Sequence, residues 1–112
     1  MKNAMDLDLR QFQAQLEQDK PLLVEYWAPW CGYCRRLGPA YEQVAQQYGE
    51  AMTVARIDID QEPALADREG IDVVPTLILY EKGKAAGNLV APMSKAAIDG
   101  FLQEHLPGKE GV

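Results

Sequence analysis

The feature that most constrains the fold is a pair of cysteines, Cys31 and Cys34, between an apolar run and a segment of helical periodicity. Residues 22–28 are almost continuously apolar, which is typical of a strand covered on both faces of a sheet. A Cys-x-x-Cys at such a junction indicates redox chemistry when a βαβ pattern surrounds it. At a helix N-terminus, unpaired backbone N–H groups and the helix dipole favour the thiolate of the first cysteine. The thiolate is the species that attacks disulfides.

Four helices are predicted from caps, stops and apolar spacing. They are expected to begin at a capping box of Asp8 and Gln11, after Cys34, near Pro63 and at the N-cap Ser94. Gly49 is the predicted stop of the second helix. Pro39 falls inside that helix, where it should remove a backbone hydrogen bond and kink the helix after its first turn.

Strands alternate with these helices along the first two thirds of the chain. The predicted strands cover residues 22–28, the alternating run around Ala55, Ile57 and Ile59, residues 76–80 and about 85–90. A turn at residues 81–84 joins the last two strands as a hairpin. The order α-β-α-β-α-β-β-α predicts an α/β fold with a four-stranded mixed sheet flanked by helices on both faces. We expect a single domain over residues 1–112, with a core of about 6–106 and a flexible tail over 107–112.

The charge and apolar patterning of the 112 residues exclude several classes of protein. A net charge of −6 argues against nucleic-acid binding, which rests on Lys and Arg contacts to phosphates. No run approaches the ~18 apolar residues of a membrane span. The N-terminal residues lack the apolar region of a signal peptide, which predicts a cytoplasmic protein. An extracytoplasmic location is the alternative if a signal peptide has been removed.

Four motifs in this order resemble those of the thioredoxin family. They are the strand and redox loop over residues 24–34, Pro39, the run Val74-Pro75-Thr76, and the hairpin glycine Gly83. The resemblance spans about residues 6–106 and implies a thioredoxin fold. It also implies that Cys31 is the exposed nucleophile and Cys34 the more buried thiol that resolves the mixed disulfide.

The resemblance also implies where a substrate lies. Pro75, if its peptide bond is cis, would sit against the cysteine pair, and the backbone of Val74 would pair with an extended substrate peptide. Trp30 would contribute to an exposed apolar docking rim, and Ala91 and Pro92 to a rim that is stiffer than the family's usual Gly-Ala. No cofactor or metal is implied. The expected partners of this monomer are protein disulfides or dithiols and a recycling reductase or oxidase.

Gly32 and Tyr33, between the cysteines, depart from the Gly-Pro of typical thioredoxins. The surrounding residues look closer to protein disulfide isomerase domains. Loss of the proline should loosen the loop and free an N–H to face the Cys31 sulfur, which would stabilise the reduced form. We therefore predict a potential between about −270 mV, typical of reducing thioredoxins, and about −180 mV, typical of disulfide isomerase. The alternative for Tyr33 is an ordinary loop residue without direct influence on Cys31.

Glu25 is a carboxyl group in the middle of an apolar strand, where typical thioredoxins have Asp and disulfide isomerase domains have Glu. Burial should raise its pKa. A carboxylate poised in this way could accept the proton of Cys34 through a water molecule. Arg56, on the neighbouring strand, could pair with Glu25. The competing interpretation is a carboxylate that is merely tolerated because Arg56 neutralises it.

The function that follows is that of a dithiol–disulfide oxidoreductase, an enzyme with protein-disulfide reductase or isomerase activity. Cys31 attacks a protein disulfide and Cys34 resolves the mixed disulfide, while the direction of electron flow is left open. The rival from another class is a thioredoxin-fold docking or chaperone-like binding module without turnover. Two further alternatives for the cysteines are an inert structural disulfide and half of a zinc site, which requires four ligands.

Overall fold

The computed structural model describes residues 3–106, so the predicted flexible tail lies outside the described residues. In chain order the elements are β1 (Met5–Asp6), α1 (Leu9–Leu16), β2 (Leu22–Trp27), α2 (Gly32–Tyr48), β3 (Thr53–Asp58), α3 (Pro63–Arg68), β4 (Thr76–Glu81), β5 (Lys84–Val90) and α4 (Lys95–His105). The predicted helices and the predicted strands are all present, with ends that differ by one to three residues.

The strands form one mixed sheet in the order β1-β3-β2-β4-β5. β3 pairs in parallel with both β1 and β2, whereas β4 pairs antiparallel with β2 and β5. The sheet thus has five strands. The prediction of four strands was wrong because it missed the edge strand β1. That strand has two exposed residues, which pair with Ala55 and Arg56. Two exposed residues carry no periodicity, so no local pattern could have indicated a strand there.

The helix starts follow the predicted caps. The Asp8 carboxylate accepts from the Gln11 N–H at 2.8 Å, and the Gln11 side chain accepts from the Asp8 N–H at 2.9 Å. The Ser94 hydroxyl caps α4 by accepting from the Ala97 N–H at 3.2 Å. Each cap satisfies backbone donors that the first turn of a helix leaves unpaired.

The core has two layers, one on each face of the sheet. Helices α2 and α4 pack on one face around Leu23, and helices α1 and α3 pack on the other around Leu22 and Val24. Residues 22–26 of β2 are all buried, which explains why its sequence is apolar at successive positions rather than at alternate ones. β2 therefore lies at the centre of the molecule, and its two faces meet different helices.

Helix α2 is continuous through Pro39 and ends at the C-cap Gly49. The predicted stop is confirmed, although Gly49 has a φ of −62° and does not need a left-handed backbone. A glycine is required there for space, because a Cβ at this position would lie 2.7 Å from the Ala45 carbonyl oxygen. The predicted kink at Pro39 stays a prediction.

Candidate active site

Strand β2 delivers the cysteine pair to the start of α2. The chain leaves the sheet after Trp27 and enters α2 at Gly32, with Cys31 as the N-cap residue. Cys31 and Cys34 form a disulfide with their Cα atoms 5.3 Å apart. The Cys34 N–H donates to the Cys31 sulfur at 3.1 Å. A sulfur that accepts a helix N-terminal N–H is stabilised as a thiolate once the disulfide is reduced.

The two sulfur-bearing residues differ in their access to solvent. Cys31 is 7% exposed and Cys34 is fully buried. Trp27, Tyr33 and Val74 pack around the pair. Cys31 is the more accessible of the two, as the resemblance implies, but its exposed area is small. Only an approach along the Cys31 side reaches the disulfide.

The loop before β4 lies against this open side. The Val74–Pro75 peptide bond, whose isomer the sequence left open, is cis. The Cys31 sulfur lies 3.7 Å from the Val74 carbonyl oxygen, and the Ala91 N–H donates to the Pro75 carbonyl at 2.8 Å. The redox loop, the proline loop and the segment after β5 therefore meet at one place.

Tyr33 joins the redox helix to the segment after β5. Its hydroxyl donates to the carbonyl oxygens of Ala91 and Pro92, at 3.2 and 3.0 Å. Ala91 has a φ of +46°, a left-handed conformation that glycine adopts at lower cost. Sequence analysis named these three residues separately, and the structure brings them together. Tyr33 is thus anchored by its hydroxyl, and its direct influence on Cys31 stays a prediction.

Exposed apolar side chains lie on the redox loop, beside the proline loop and on the segment at the end of β5. Trp30, predicted as part of a docking rim, is 66% exposed, and its indole N–H donates to Asp60 at 3.2 Å. Sequence analysis missed Val73, Val90 and Met93, which are also exposed. The available signal was their position, next to the proline loop and at the end of the last strand. Exposed apolar side chains grouped in this way are typical of a protein-docking surface.

Glu25 is fully buried in β2, the strand that leads to the redox loop. Its Oε1 atom accepts from Arg56 Nε at 3.2 Å, across the register pair that joins β2 and β3. The other oxygen, Oε2, has no hydrogen-bond partner among residues 3–106. Burial raises the pKa of Glu25 from 4.5 to about 7, although the charge and hydrogen bond of Arg56 oppose the rise. The pairing with Arg56 is confirmed, and the direction of the pKa shift is the one expected from burial.

Arg56 connects the buried carboxyl group to the surface. Its guanidinium stacks over the Trp27 ring, 4.0 Å from the ring centroid. Arg56 and Trp27 also line an open cavity of about 370 Å³ beside α1 and the end of β3. Glu25 is therefore linked to solvent through a side chain that is 14% exposed, rather than sealed in an apolar core.

Two arginines directly after Cys34 also belong to the site, and sequence analysis passed over them. Arg35 and Arg36 are both exposed. The Arg36 guanidinium lies over the Tyr33 ring, 5.6 Å from its centroid. The available signal was a pair of adjacent basic residues, directly after the cysteines, in a chain of net charge −6.

Neither a metal cluster nor a membrane helix accompanies the site in the described part of the chain. No group of three or more His, Cys, Asp and Glu side chains within residues 3–106 is arranged to hold a metal ion. None of the helices over the same residues has the length and apolar character to cross a membrane.

A disulfide at the N-cap of a helix, beside a cis-proline loop and after a strand with a buried carboxyl group, defines the class of thiol–disulfide exchange proteins. Comparisons with known proteins narrow the class. The thioredoxin family model matches residues 3–104. "Thioredoxin 1" of Synechococcus elongatus is 36% identical over 94 residues, which cover 84% of this chain and 88% of that protein. The thioredoxin of Alicyclobacillus acidocaldarius is 35% identical over 102 residues, covering 91% and 97%.

The chain therefore belongs to the thioredoxin family. A crystal structure of Malassezia sympodialis thioredoxin shares the fold, with a TM-score of 0.83 and 23% identity, over 94% of this chain and 92% of that one. The expected thioredoxin-like α/β fold is confirmed. Together with the Cys31–Cys34 disulfide, family membership makes this protein a thiol–disulfide oxidoreductase.

Proposed function

We propose that the protein exchanges disulfides with protein substrates, as a reductase or isomerase. The Cys31 thiolate attacks a substrate disulfide, which forms a mixed disulfide and expels one substrate thiolate. The Cys34 thiolate then attacks the Cys31 sulfur, which forms the Cys31–Cys34 disulfide and expels the second substrate thiolate. The observation that carries the proposal is the N-cap position of Cys31, whose sulfur accepts the Cys34 N–H at 3.1 Å. A partner reductase returns the pair to the dithiol.

The substrate binds as an extended segment across the proline loop. The Val74 carbonyl, 3.7 Å from the Cys31 sulfur, supports this proposal because it can accept a backbone N–H from a substrate strand. Trp30, Ala91 and Pro92 would contact the flanking substrate side chains. Substrate recognition would then rest on backbone pairing and apolar contact.

Glu25 acts as the proton acceptor for Cys34 during resolution. Its pKa of about 7 supports this role, since a general base works best when its pKa lies near the operating pH. The Oε2 atom, which lacks a hydrogen-bond partner among the described residues, can accept a proton through a water molecule. The competing role, a carboxylate present only as the partner of Arg56, predicts no kinetic effect on resolution.

The redox potential of the Cys31–Cys34 pair should lie between about −270 and −180 mV. The Gly32-Tyr33 dipeptide in place of Gly-Pro supports this expectation, because Tyr33 lacks the ring that fixes the φ angle of a proline. Equilibration with a glutathione buffer, followed by tryptophan fluorescence, measures the potential. A value at or below −270 mV would contradict the proposal of an isomerase-like site. The cytoplasmic location stays a prediction. A potential near the reducing end of this range would suit that location better than one near the oxidising end.

Insulin reduction by dithiothreitol tests the enzymatic function directly. The wild-type protein should accelerate precipitation of the insulin B chain, and Cys31→Ser should abolish the acceleration. Cys34→Ser should instead accumulate a mixed disulfide with the substrate, because resolution is blocked. No acceleration by the wild type, or full activity in Cys31→Ser, would favour the docking or chaperone-like module instead.

The proposal treats residues 1–112 as one domain. Ala4, near one end of the described chain, and Leu106, at the other, are members of the same buried cluster. This shared packing supports a single cooperative unit around the redox site.

A further inference from the structure

A groove lies beside the redox helix α2. It measures about 290 Å³ and is lined by Tyr33, Arg36, Leu37, Ala40, Met93 and Ser94. We call this surface the Arg36 groove. Three of its lining side chains are apolar, and Arg36 is the only lining residue with a formal charge. The groove begins at Tyr33, which stands between the two cysteines, so it adjoins the place where a substrate disulfide reacts.

The charge of Arg36 is directed towards the redox loop. Its guanidinium carbon lies 5.6 Å from the centroid of the Tyr33 ring. Its Nη1 atom lies 3.6 Å from the position that a Cβ at Gly32 would occupy. No carboxylate within residues 3–106 is within ion-pair distance of it. Arg36 therefore presents a cation beside Gly32 and Tyr33, the two residues between the cysteines, that is available to a carboxylate from outside the chain.

Ser94 adds a second favourable feature to the same groove. It is the N-cap of α4, an eleven-residue helix, and its hydroxyl accepts from the Ala97 N–H. The positive end of the helix dipole therefore faces the groove and favours a negative group there. The apolar side chains opposite can cover the methylene stem of an acidic residue.

Arg35 provides a natural contrast because it has the same charge at the adjacent position. Its Nη1 atom lies 3.5 Å from the Pro29 carbonyl, on the side of the loop before the cysteines. It does not line the Arg36 groove. Any effect specific to the groove should therefore depend on Arg36 and not on Arg35, whereas a general effect of positive charge should depend on both.

We infer that the Arg36 groove is a side-chain subsite that selects a glutamate close to the reacting cysteine of a protein substrate. The glutamate stem would lie against Leu37 and Met93, and its carboxylate would accept from the Arg36 guanidinium, whose fork of N–H donors matches a carboxylate. The inference rests on the proposed disulfide exchange. It names a substrate feature that this site prefers in spite of the net negative charge of the chain.

A peptide series tests the inference. The probes are disulfide-linked dimers of a short neutral peptide with one cysteine, in which Glu, Gln or Lys occupies one position from two before to two after the cysteine. The rate constant for reduction by the reduced wild-type protein is followed by tryptophan fluorescence. At one position, Glu should react about fivefold faster than Gln, near the upper limit for a solvent-exposed ion pair. The preference should decline as salt is raised.

Three variants establish whether the groove causes the preference. Arg36→Gln should reduce the Glu/Gln rate ratio to about one, and Arg36→Glu should reverse the preference in favour of the Lys peptide. Arg35→Gln should keep the wild-type ratio. A ratio of one at every position in the wild type, or equal loss of the ratio in Arg35→Gln and Arg36→Gln, would overturn the inference. If the wild type reduces none of the peptides, the proposed function fails as well. If the wild type reduces the Gln peptide and shows no preference for Glu, the inferred glutamate subsite is contradicted, whereas the proposed disulfide exchange is not.

Discussion

Glu25 and Tyr26 are adjacent residues of β2, yet their polar groups are buried on opposite faces of the sheet and differ in how fully they are hydrogen-bonded. Glu25, on the face covered by α2, shares one oxygen with Arg56 and leaves Oε2 without a hydrogen-bond partner among residues 3–106. Tyr26, on the face covered by α1 and α3, belongs to a hydrogen-bonded chain. Its hydroxyl lies 2.6 Å from that of Tyr80, which donates to Glu69 at 2.7 Å.

The difference lies in how each group titrates. Burial raises the pKa of Tyr26 and Tyr80 far above the physiological range, so both hydroxyls remain neutral. The hydrogen bonds from Tyr26 through Tyr80 to Glu69 therefore keep one arrangement. Burial raises the pKa of Glu25 only to about 7, so this carboxyl group changes charge at neutral pH. The α1/α3 face therefore contains a permanent polar bond network, whereas the α2 face contains a group able to take up and release a proton beneath the redox helix.

The largest expected effect is on the pH dependence of stability. Because the pKa of Glu25 rises from 4.5 to about 7 on folding, the folded state binds this proton more tightly than the unfolded chain. The resulting stability is fully present below pH 4.5 and is lost as the pH rises to about 7. In Glu25→Gln this dependence should disappear. The free energy of unfolding of the wild type, relative to the variant, should fall by about 3 kcal/mol between pH 4 and pH 8.

Urea denaturation of the oxidised proteins across this pH range measures the difference. A wild-type minus variant difference that stays level from pH 4 to pH 8 would show that Glu25 is not a titrating group in the folded protein.

The next effect is kinetic and concerns the same carboxyl group. Glu25→Gln should slow resolution of the mixed disulfide by about 100-fold, the lower part of the range for general base catalysis. Formation of the mixed disulfide by Cys31 should change little, because Glu25 takes no proton in that step. Stopped-flow fluorescence separates the two steps. Tyr80→Phe, on the opposite face, is the control and should leave both rates unchanged. Equal slowing of both steps in Glu25→Gln would count against the proton-acceptor role.

Substitutions of the tyrosines on the α1/α3 face should change the free energy of unfolding but not its dependence on pH. Tyr80→Phe removes the central hydroxyl of the three hydrogen-bonded groups, so the Tyr26 hydroxyl and a Glu69 oxygen both lose this partner. The free energy of unfolding should fall by about 2 kcal/mol. Tyr26→Phe removes only the terminal hydroxyl of these hydrogen-bonded groups, so the free energy of unfolding should fall by about 1 kcal/mol. Both losses should be the same at pH 5 and pH 8. Equal costs for the two variants, in thermal or urea unfolding, would show that the hydrogen bonds do not act as a chain.

The smallest effect sharpens the role of Arg56. Its charge and hydrogen bond hold the pKa of Glu25 below the value that burial alone would produce. Arg56→Gln should therefore raise that pKa further, by about one unit. The pH at which stability is lost should move upward by the same amount. Carboxyl carbon NMR of Glu25 in the wild type and the variant measures the shift. An unchanged or lower pKa would mean that Arg56 serves mainly to cover the Trp27 ring.

Local patterns carried most of the fold and the centre of the site. The capping box at Asp8, the N-cap at Ser94 and the apolar run of β2 depend on neighbouring residues, so the sequence shows them directly. The same holds for Cys31 and Cys34, because a helix N-terminus follows from the chain order. The burial of Glu25 also follows, since its neighbours along the strand are buried on both faces of the sheet.

Contacts between distant parts of the chain were decided by the tertiary structure. The hydroxyl of Tyr33 reaches Ala91 and Pro92, nearly sixty residues away, and the hydroxyl of Tyr26 meets that of Tyr80. No local signal indicates which hydroxyl finds which partner. The edge strand β1 is a similar case, because its two exposed residues form a strand only through pairing with β3.

By itself, the sequence determined that this protein places two thiols at a helix N-terminus and a carboxyl group inside the buried strand before them. Only the tertiary structure decided what surrounds them. It tied Tyr33 to the segment after β5, set Arg36 over the redox loop and left Oε2 of Glu25 without a hydrogen-bond partner among residues 3–106. The physical reason is that local structure depends on propensity and periodicity, which adjacent residues carry. The charge and hydrogen bonding of a site depend on which distant side chains packing brings together.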